Sequence, residues 1–450
     1  MSAPRVGIVG GGLAGMSCAL ACADAGLDVT LLESRRRLGG LTWSFERHGR
    51  WFDNGQHVFL RCCQEYIDFV ARIGATSLVT MQDRLDVPVL APGRAGRLRR
   101  DPLPAPLHLA RALAGYSHLS VPRRARLVPA ALALSRLDPE DPTLDGQAFG
   151  DWLARHGQSE AAIETLWDLI ARPTINLPAR EASLALAVKV FRTGLLDRAD
   201  AADIGWSAVP LGHLHGGKGG DAMTAAGVDV RLGVPVAGVA GGACPQIRTA
   251  DGATMPFDAV VVAVDPSSAV RLLPEGLPAR DGAGRLGSSA IIDVGLVLDR
   301  RVTDLPVAAV LVDPPLWVFD RTDAAGVRRP GQCLAVSISA AGALVAARPE
   351  KVVADVTDRL ARVIPAVASA RVVDAVVTKE RNATFSGVPG STRLRPRPGR
   401  VTEGLHLAGA WTATGWPATM EGAVRSGRAA ARDAISELMS DRPSPQEALA

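Results

Sequence analysis

Val6-Gly-Ile-Val-Gly10-Gly-Gly12-Leu-Ala-Gly15 reads as a buried strand running straight into the start of a helix. Val6, Ile8 and Val9 suit a parallel strand, and the Ala- and Leu-rich run that follows suits a helix. In Gly10-x-Gly12-x-x-Gly15, Gly10 makes the tight turn, Gly12 admits a pyrophosphate to the backbone, and Gly15 lets helix touch strand. Leu13 and Ala14 lie in the same first turn, where unpaired N–H groups and the helix dipole favour negative charge. A second strand, Asp28-Val-Thr-Leu-Leu32, ends on Glu33, eighteen residues after Gly15. An acid there accepts hydrogen bonds from ribose hydroxyls and repels a 2′-phosphate. Together these features predict a dinucleotide-binding α/β unit; the plain alternative is a Gly-rich turn that binds nothing.

Two stretches downstream extend the expected site. Ser34-Arg35-Arg36-Arg37-Leu-Gly39-Gly40-Leu41 is a basic turn whose Ser34, Arg35, Gly40 and Leu41 we expect against the cofactor, the alternative being a solvated loop. Trp51-Phe-Asp53-Asn-Gly-Gln-His57 gathers polar side chains around a glycine between apolar residues. A buried Asp or His must find partners or change protonation, so Asp53 and His57 are candidate acids, weighed against an ordinary turn.

The rest of the chain divides by composition. Residues 99–200 are rich in helix formers and read as an insertion that forms or covers a substrate pocket. Its segment Leu103–Leu137 is basic and amphipathic, fit for an anionic membrane surface or for an ordinary surface helix. Residues 201–268 return to the α/β pattern, with a Gly-rich turn at 216–220, strand-like runs at 228–232 and 236–239, and the buried strand Val260–Val264. Residues 269–395 read as an α+β unit on an antiparallel or mixed sheet. In 396–440, the strand Leu405–Gly409 feeds a loop and a small-residue helix. A second strand reaching a second Gly-rich helix start, near the other end of the chain, suits a long extended cofactor. FAD has that length, and we expect one dinucleotide, since 212–220 lacks the spacing of a second fingerprint. With 1–98 as the first cofactor segment, the expected fold is an FAD-binding Rossmann-like α/β domain in three segments, interleaved with an α+β substrate domain and a helical insertion. The tail 441–450 reads as disordered.

Composition sets limits. The 450 residues carry a formal charge of +4 and are 47% hydrophobic, enough for two domains. No basic run is interleaved with aromatics, which argues against a nucleic-acid partner. No apolar run approaches the roughly 20 residues that span a bilayer, and the first strand leaves no room for a signal peptide. The six cysteines form no CxxC pair and read as reduced thiols, and the His213/His215 pair has no ligand cluster around it, so no metal site is expected.

The fingerprint with Glu33, the Gly39-Gly40 turn, the Val260–Val264 strand and Gly409…Glu421-Gly-Ala-Val-x-Ser-Gly427 resemble the FAD-dependent amine oxidase and phytoene desaturase superfamily, over nearly the whole chain. Within it, Asp53–His57, Leu166-Trp-Asp…Asn176-Leu-Pro178…Ala182-Ser183 and Thr414-Gly-Trp-Pro-Ala-Thr-x-Glu-Gly422 resemble the hydroxysqualene dehydroxylases of bacterial hopanoid pathways. The resemblance implies cofactor contacts at Gly409, Ala410, Ala418, Thr419 and Met420, and a backbone contact to adenine at Val236. It departs where relatives carry Arg (here Leu41 and Thr42) and Asp (here Ala410). It implies replacement of the hydroxyl of hydroxysqualene by hydride from reduced FAD, an unidentified reductant for that FAD, and peripheral contact with the inner face of the cell membrane, because the product is insoluble. The hydroxyl leaves as water only if an acid protonates it; Asp53 and His57 are the candidates, with Glu421 as a third. Two rivals stand beside this reading: oxidative chemistry on a polyene or an amine in the same fold, and a catalytically silent isoprenoid-binding flavoprotein. Amine oxidation asks for an aromatic cage, which only Trp411 and Trp416 offer.

Overall fold

The computed structural model describes residues 3–440; the tail read as disordered lies outside them. Five strands form a parallel sheet in the order Asp229–Leu232, Asp28–Glu33, Arg5–Val9, Ala259–Ala263, Leu405–Ala408, and Gly399–Thr402 adds an antiparallel edge. Val6, Ile8 and Val260–Val262 are completely buried, as strands covered on both faces require. One cover is the helix Leu13–Asp24 with the closing helix Met420–Ser440 packed on it. The other is a three-stranded antiparallel sheet (Val236–Ala240, Gln246–Thr249, Thr254–Pro256). Its Ile247, with Phe257, presses so closely on Gly7 that a Cβ there would lie 2.7 Å from both side chains.

A seven-stranded sheet carries the second half of the molecule, in the order Val372–Phe385, Ser288–Leu298, Gln332–Ile338, Leu316–Asp320, Val307–Val310, Asp86–Ala91, Arg94–Arg99. Every pairing is antiparallel except that between Val307–Val310 and Asp86–Ala91. The strand Asp86–Ala91 falls inside the segment 1–98 and Arg94–Arg99 crosses its end, so the change of sheet comes before that boundary. On one face the helix Pro349–Ala361 buries Val352, Val356 and Leu360. On the other, the hairpin Ser44–Arg47/Arg50–Asp53 lies so close that a Cβ on Gly295 would stand 2.7 Å from the Phe52 ring. That contact brings the Asp53–His57 turn onto the long central strand Ser288–Leu298.

The helical block packs around Phe149, Trp152, Trp167 and Phe191, with the Phe149 and Trp167 rings edge to face at 5.8 Å. In the stretch 216–220 the structure differs from the expected turn. Gly212–Lys218 and Gly219–Ala225 run on as one helical segment, and Gly219 sits against the Met16 sulfur, 3.0 Å from where a Cβ would be. Glycine serves close helix packing there rather than chain reversal.

Candidate active site and cofactor cradle

Gly10 has φ +109°, and a Cβ on it would collide with the Ala263 carbonyl of the neighbouring strand. A Cβ on Gly15 would collide with the Gly10 carbonyl oxygen. The helix that begins at Leu13 has Gly12 as its N-cap, no side-chain cap, and no acid in its first turn. Gly40 (φ +57°) faces it: a Cβ there would come 2.9 Å from the Gly12 Cα, whereas one on Gly12 would meet only the Gly40 Cα, at 3.7 Å. Bare backbone on both sides and uncapped N–H groups at the helix start fit a pyrophosphate. Glu33 is buried at the end of its strand. One carboxylate oxygen accepts the Gly11 N–H at 2.7 Å; the other accepts the Arg35 N–H at 2.8 Å and the Ser34 hydroxyl at 3.1 Å. A carboxylate has about four acceptor sites, so capacity for ribose hydroxyls remains. Val234, two residues before Val236, donates its N–H to the Glu33 carbonyl, and a bulge interrupts pairing between Val236 and Gly238. The structure therefore gathers Val236 and Glu33 at one end of the cradle.

Among the three arginines, Arg35 contributes its backbone, and the side chain closing the turn is Arg37. Its guanidinium donates to the Gly40 carbonyl at 3.2 Å and lies 3.9 Å over the Trp43 ring; burial, with Arg35 beside it, brings its pKa down to about 10. Leu41 is 39% exposed, and Thr42 next to it is buried with its hydroxyl on the Gly39 carbonyl.

The closing segment completes the cradle from the far end of the chain. Gly409 (φ +145°) donates its N–H to the Ser426 hydroxyl at 2.8 Å, which ties the loop to the closing helix. Gly427 lets that helix cross Leu13–Asp24 with no room for a Cβ beside the Ala14 carbonyl. Thr419 caps the closing helix by accepting the Gly422 N–H at 3.1 Å. Glu421 is buried and spends its oxygens on the N–H groups of Tyr66 (2.8 Å) and Glu65 (3.4 Å) and on Arg425 (2.6 Å). It caps the helix Gln64–Arg72 from another element, and burial pushes its pKa up while these donors pull it down.

In the polar turn both expected acids have hydrogen-bond partners. Asp53 forms a buried ion pair with Arg321 at 3.0 Å, their side chains 11% and 8% exposed, and also accepts the Ser44 hydroxyl at 2.6 Å and the Leu211 N–H at 2.9 Å. Three donors, one of them a guanidinium, hold that carboxylate in place. His57 places one ring nitrogen on the Gly55 carbonyl at 2.8 Å; burial pushes its pKa down, so the ring is neutral, with Nδ1 as donor and Nε2 left as an acceptor. His215, hydrogen-bonded to the Tyr66 hydroxyl at 2.8 Å, is pushed down by burial to about 3 and is neutral as well.

A further buried acid lies beside this turn: Asp293, on the central strand. It is buried, and it accepts the Gln56 N–H at 3.0 Å on Oδ1. Burial, with the Asp53 charge nearby, pushes its pKa up to about 7. Asp53, Gln56, Asp293, Arg321 and Thr378 share a small internal cavity of about 30 Å³. Asp293 and Arg321 did not figure among the candidates read from sequence. The available signal was a lone acid in the apolar strand Ala290-Ile-Ile-Asp-Val-Gly-Leu-Val-Leu298. Trp411 and Trp416 form no cage: they are 3% and 9% exposed, with the Trp411 indole N–H on the Val264 carbonyl and the Trp416 ring beside Lys189 and Arg425. Among the described residues no cluster of His, Cys, Asp and Glu could hold a metal ion.

The model of the family described as flavin containing amine oxidoreductase matches residues 13–435. The chain is 29% identical to the hydroxysqualene dehydroxylase of Rhodopseudomonas palustris, over 95% of this chain and 97% of that protein. It is 26% identical to a zeta-carotene desaturase of Solanum lycopersicum, over 95% of this chain and 80% of that protein. The cyclohexylamine oxidase of Brevibacterium oxydans superposes with a TM-score of 0.75 over 97% of this chain and all of its own, at 18% identity, a likeness of fold.

Proposed function

The chain belongs to the flavin containing amine oxidoreductase family, an FAD-dependent oxidoreductase, and from that premise we propose that it removes the hydroxyl of hydroxysqualene to give squalene. FAD, when reduced, supplies the hydride. Gly10, Gly12–Gly15 and Gly40 would hold its pyrophosphate, Glu33 its ribose, Val236 its adenine, and Ala410 with Ala418–Met420 its flavin end.

The observation that carries the reading is the buried carboxyl of Asp293 set against the Gly55–His57 turn. A hydroxyl is a poor leaving group unless protonated, and a carboxyl with a pKa near 7 is matched to donate at neutral pH. Arg321, which shares the Asp293 cavity, is paired with Asp53. The Oδ1 of Asp293 accepts the Gln56 N–H, which fixes the carboxyl group against the turn. The neutral His57 accepts and orients through Nε2. The full-length match to a hydroxysqualene dehydroxylase supports this substrate; the match to a zeta-carotene desaturase supports the second reading, oxidation of a polyene. The lack of an aromatic cage speaks against amines, and a catalytically silent role leaves the Asp293 cluster without a purpose.

A peripheral membrane position belongs to the same proposal. No helix among the described residues is long and apolar enough to cross a bilayer. The segment 102–137 contains no acid, five arginines, and exposed Leu103, Leu107, Val121, Val128 and Leu132. Exposed apolar side chains and positive charge in one segment fit an anionic leaflet, as the inner face of the cell membrane presents. The test is anaerobic: reduce the FAD-loaded enzyme, add hydroxysqualene, and follow flavin reoxidation with squalene by mass spectrometry. Reoxidation with squalene is expected. Flavin that stays reduced, with oxidised enzyme bleached by a polyene, would transfer the assignment to the desaturase reading.

A further inference from the structure

Arg395 is 5% exposed, and among the described residues no carboxylate lies within ion-pair distance of it. Its Nε donates to the Trp411 carbonyl at 3.0 Å and its Nη2 to the carbonyls of Thr412 and Trp416 at 2.5 and 2.7 Å; the guanidinium lies 4.6 Å over the Phe385 ring. All three carbonyls belong to the loop between Gly409 and Met420, so this loop is folded around a positive charge. Asp145 acts on Arg395 only through space, its carboxylate being held by the Ser183 hydroxyl and the Thr392 N–H. A loop that needed bracing alone could use neutral donors, at much lower desolvation cost than a buried guanidinium without a counter-ion.

We propose that Arg395 is a positioning residue of the flavin site. It shapes the Gly409–Met420 loop and supplies the fixed positive charge that stabilises the reduced, anionic form of the cofactor. Two electrons and one proton give the neutral oxidised ring one net negative charge, and a preorganised cation in a water-poor loop favours that charge. The same cation could instead serve the cofactor pyrophosphate, which is anionic in both redox states. The two sources differ in what they predict: a pyrophosphate role changes affinity for oxidised FAD and leaves the potential alone.

The experiment compares FAD-loaded wild type, Arg395→Gln and Arg395→Lys. The flavin midpoint potential is read by spectroscopic titration against a reference dye, and oxidised FAD affinity by titration of the apoprotein. In Arg395→Gln the potential should shift negative. In Arg395→Lys it should match wild type at neutral pH, then diverge as the buried lysine loses its proton, because burial lowers a lysine pKa while arginine stays charged. A wild-type potential in Arg395→Gln, with or without weaker binding of oxidised FAD, overturns the proposal. Should Arg395→Gln fail to retain FAD, the pH profile of Arg395→Lys decides: an extra inflection supports the assignment, and a curve parallel to wild type refutes it.

Discussion

Replacing Asp293 by Asn tests the proton-holding group by stability and by rate. Asn keeps an acceptor for the Gln56 N–H and nearly the same volume, so the turn geometry is preserved. In the unfolded chain an aspartate titrates near ~3.9; in the fold this one titrates near 7 because it is buried beside Asp53. The folded pKa is the higher one, so its contribution to stability is present below about pH 4 and is lost as pH rises to about 7. The window spans about three pH units at about 1.4 kcal/mol each, so the loss approaches ~4 kcal/mol. Buried neutral His215 acts in the opposite sense: its folded pKa of about 3 lies below the unfolded value, and its stabilising contribution is lost as pH falls through that range. The informative quantity is therefore the difference between Asp293→Asn and wild type, measured by denaturant unfolding of the FAD-loaded proteins from pH 4 to 8. The variant should gain steadily on wild type as pH rises, by up to ~4 kcal/mol. Its turnover should fall by about 10²–10⁴-fold, the span of one general acid, while wild-type turnover falls as pH rises through 7. A stability difference independent of pH would show that Asp293 is ionised throughout, and with it the proton source would be lost.

Asp53→Asn should lose stability, because Arg321 is then left buried without its partner; about 3 kcal/mol is expected by denaturant unfolding, and a variant as stable as wild type would mean that the pair is not formed. Gly40→Ala puts a methyl group 2.9 Å from the Gly12 Cα at φ +57°; the folded variant should purify with little flavin absorbance, and full FAD content would remove Gly40 from the cradle. Wild type should co-sediment with vesicles rich in phosphatidylglycerol and much less with zwitterionic ones. Leu107→Glu with Val128→Glu should cut that binding about tenfold or more, and equal binding by both proteins would exclude this surface.

What the chain reveals before folding follows the range of the interactions. The fingerprint, Glu33 and the two terminal strands were legible because the residues that form each turn are neighbours, and a glycine at φ +109° or a strand buried on both faces leaves its mark within ten residues. The helix Met420–Ser440 was legible for the same reason, and its crossing with Leu13–Asp24 was foreshadowed by Gly427. Acid chemistry was not legible, since a carboxylate takes its character from partners elsewhere in the chain. Asp53 looked free until Arg321, 268 positions away, neutralised it. Glu421 looked reactive until it capped a helix 355 positions away. Gly216–Gly220 misled because glycine can mean a turn or a close helix contact, and only Met16 from another element distinguishes them.

The buried charges also explain one another. Arg321 is paired with Asp53, and burial, with the Asp53 charge nearby, pushes the Asp293 pKa up to about 7. Arg395 has no carboxylate either, yet it stays charged: even with burial its pKa remains about 10, and three carbonyl dipoles stand in for water around it. The difference lies in intrinsic acidity. An isolated carboxylic acid escapes burial by taking up a proton within the physiological range, and a guanidinium cannot escape by losing one. Two groups without counter-ions thus end in opposite states, a neutral acid behind the Gly55–His57 turn and a fixed cation inside the closing loop. Both states are set by the fold before any substrate arrives.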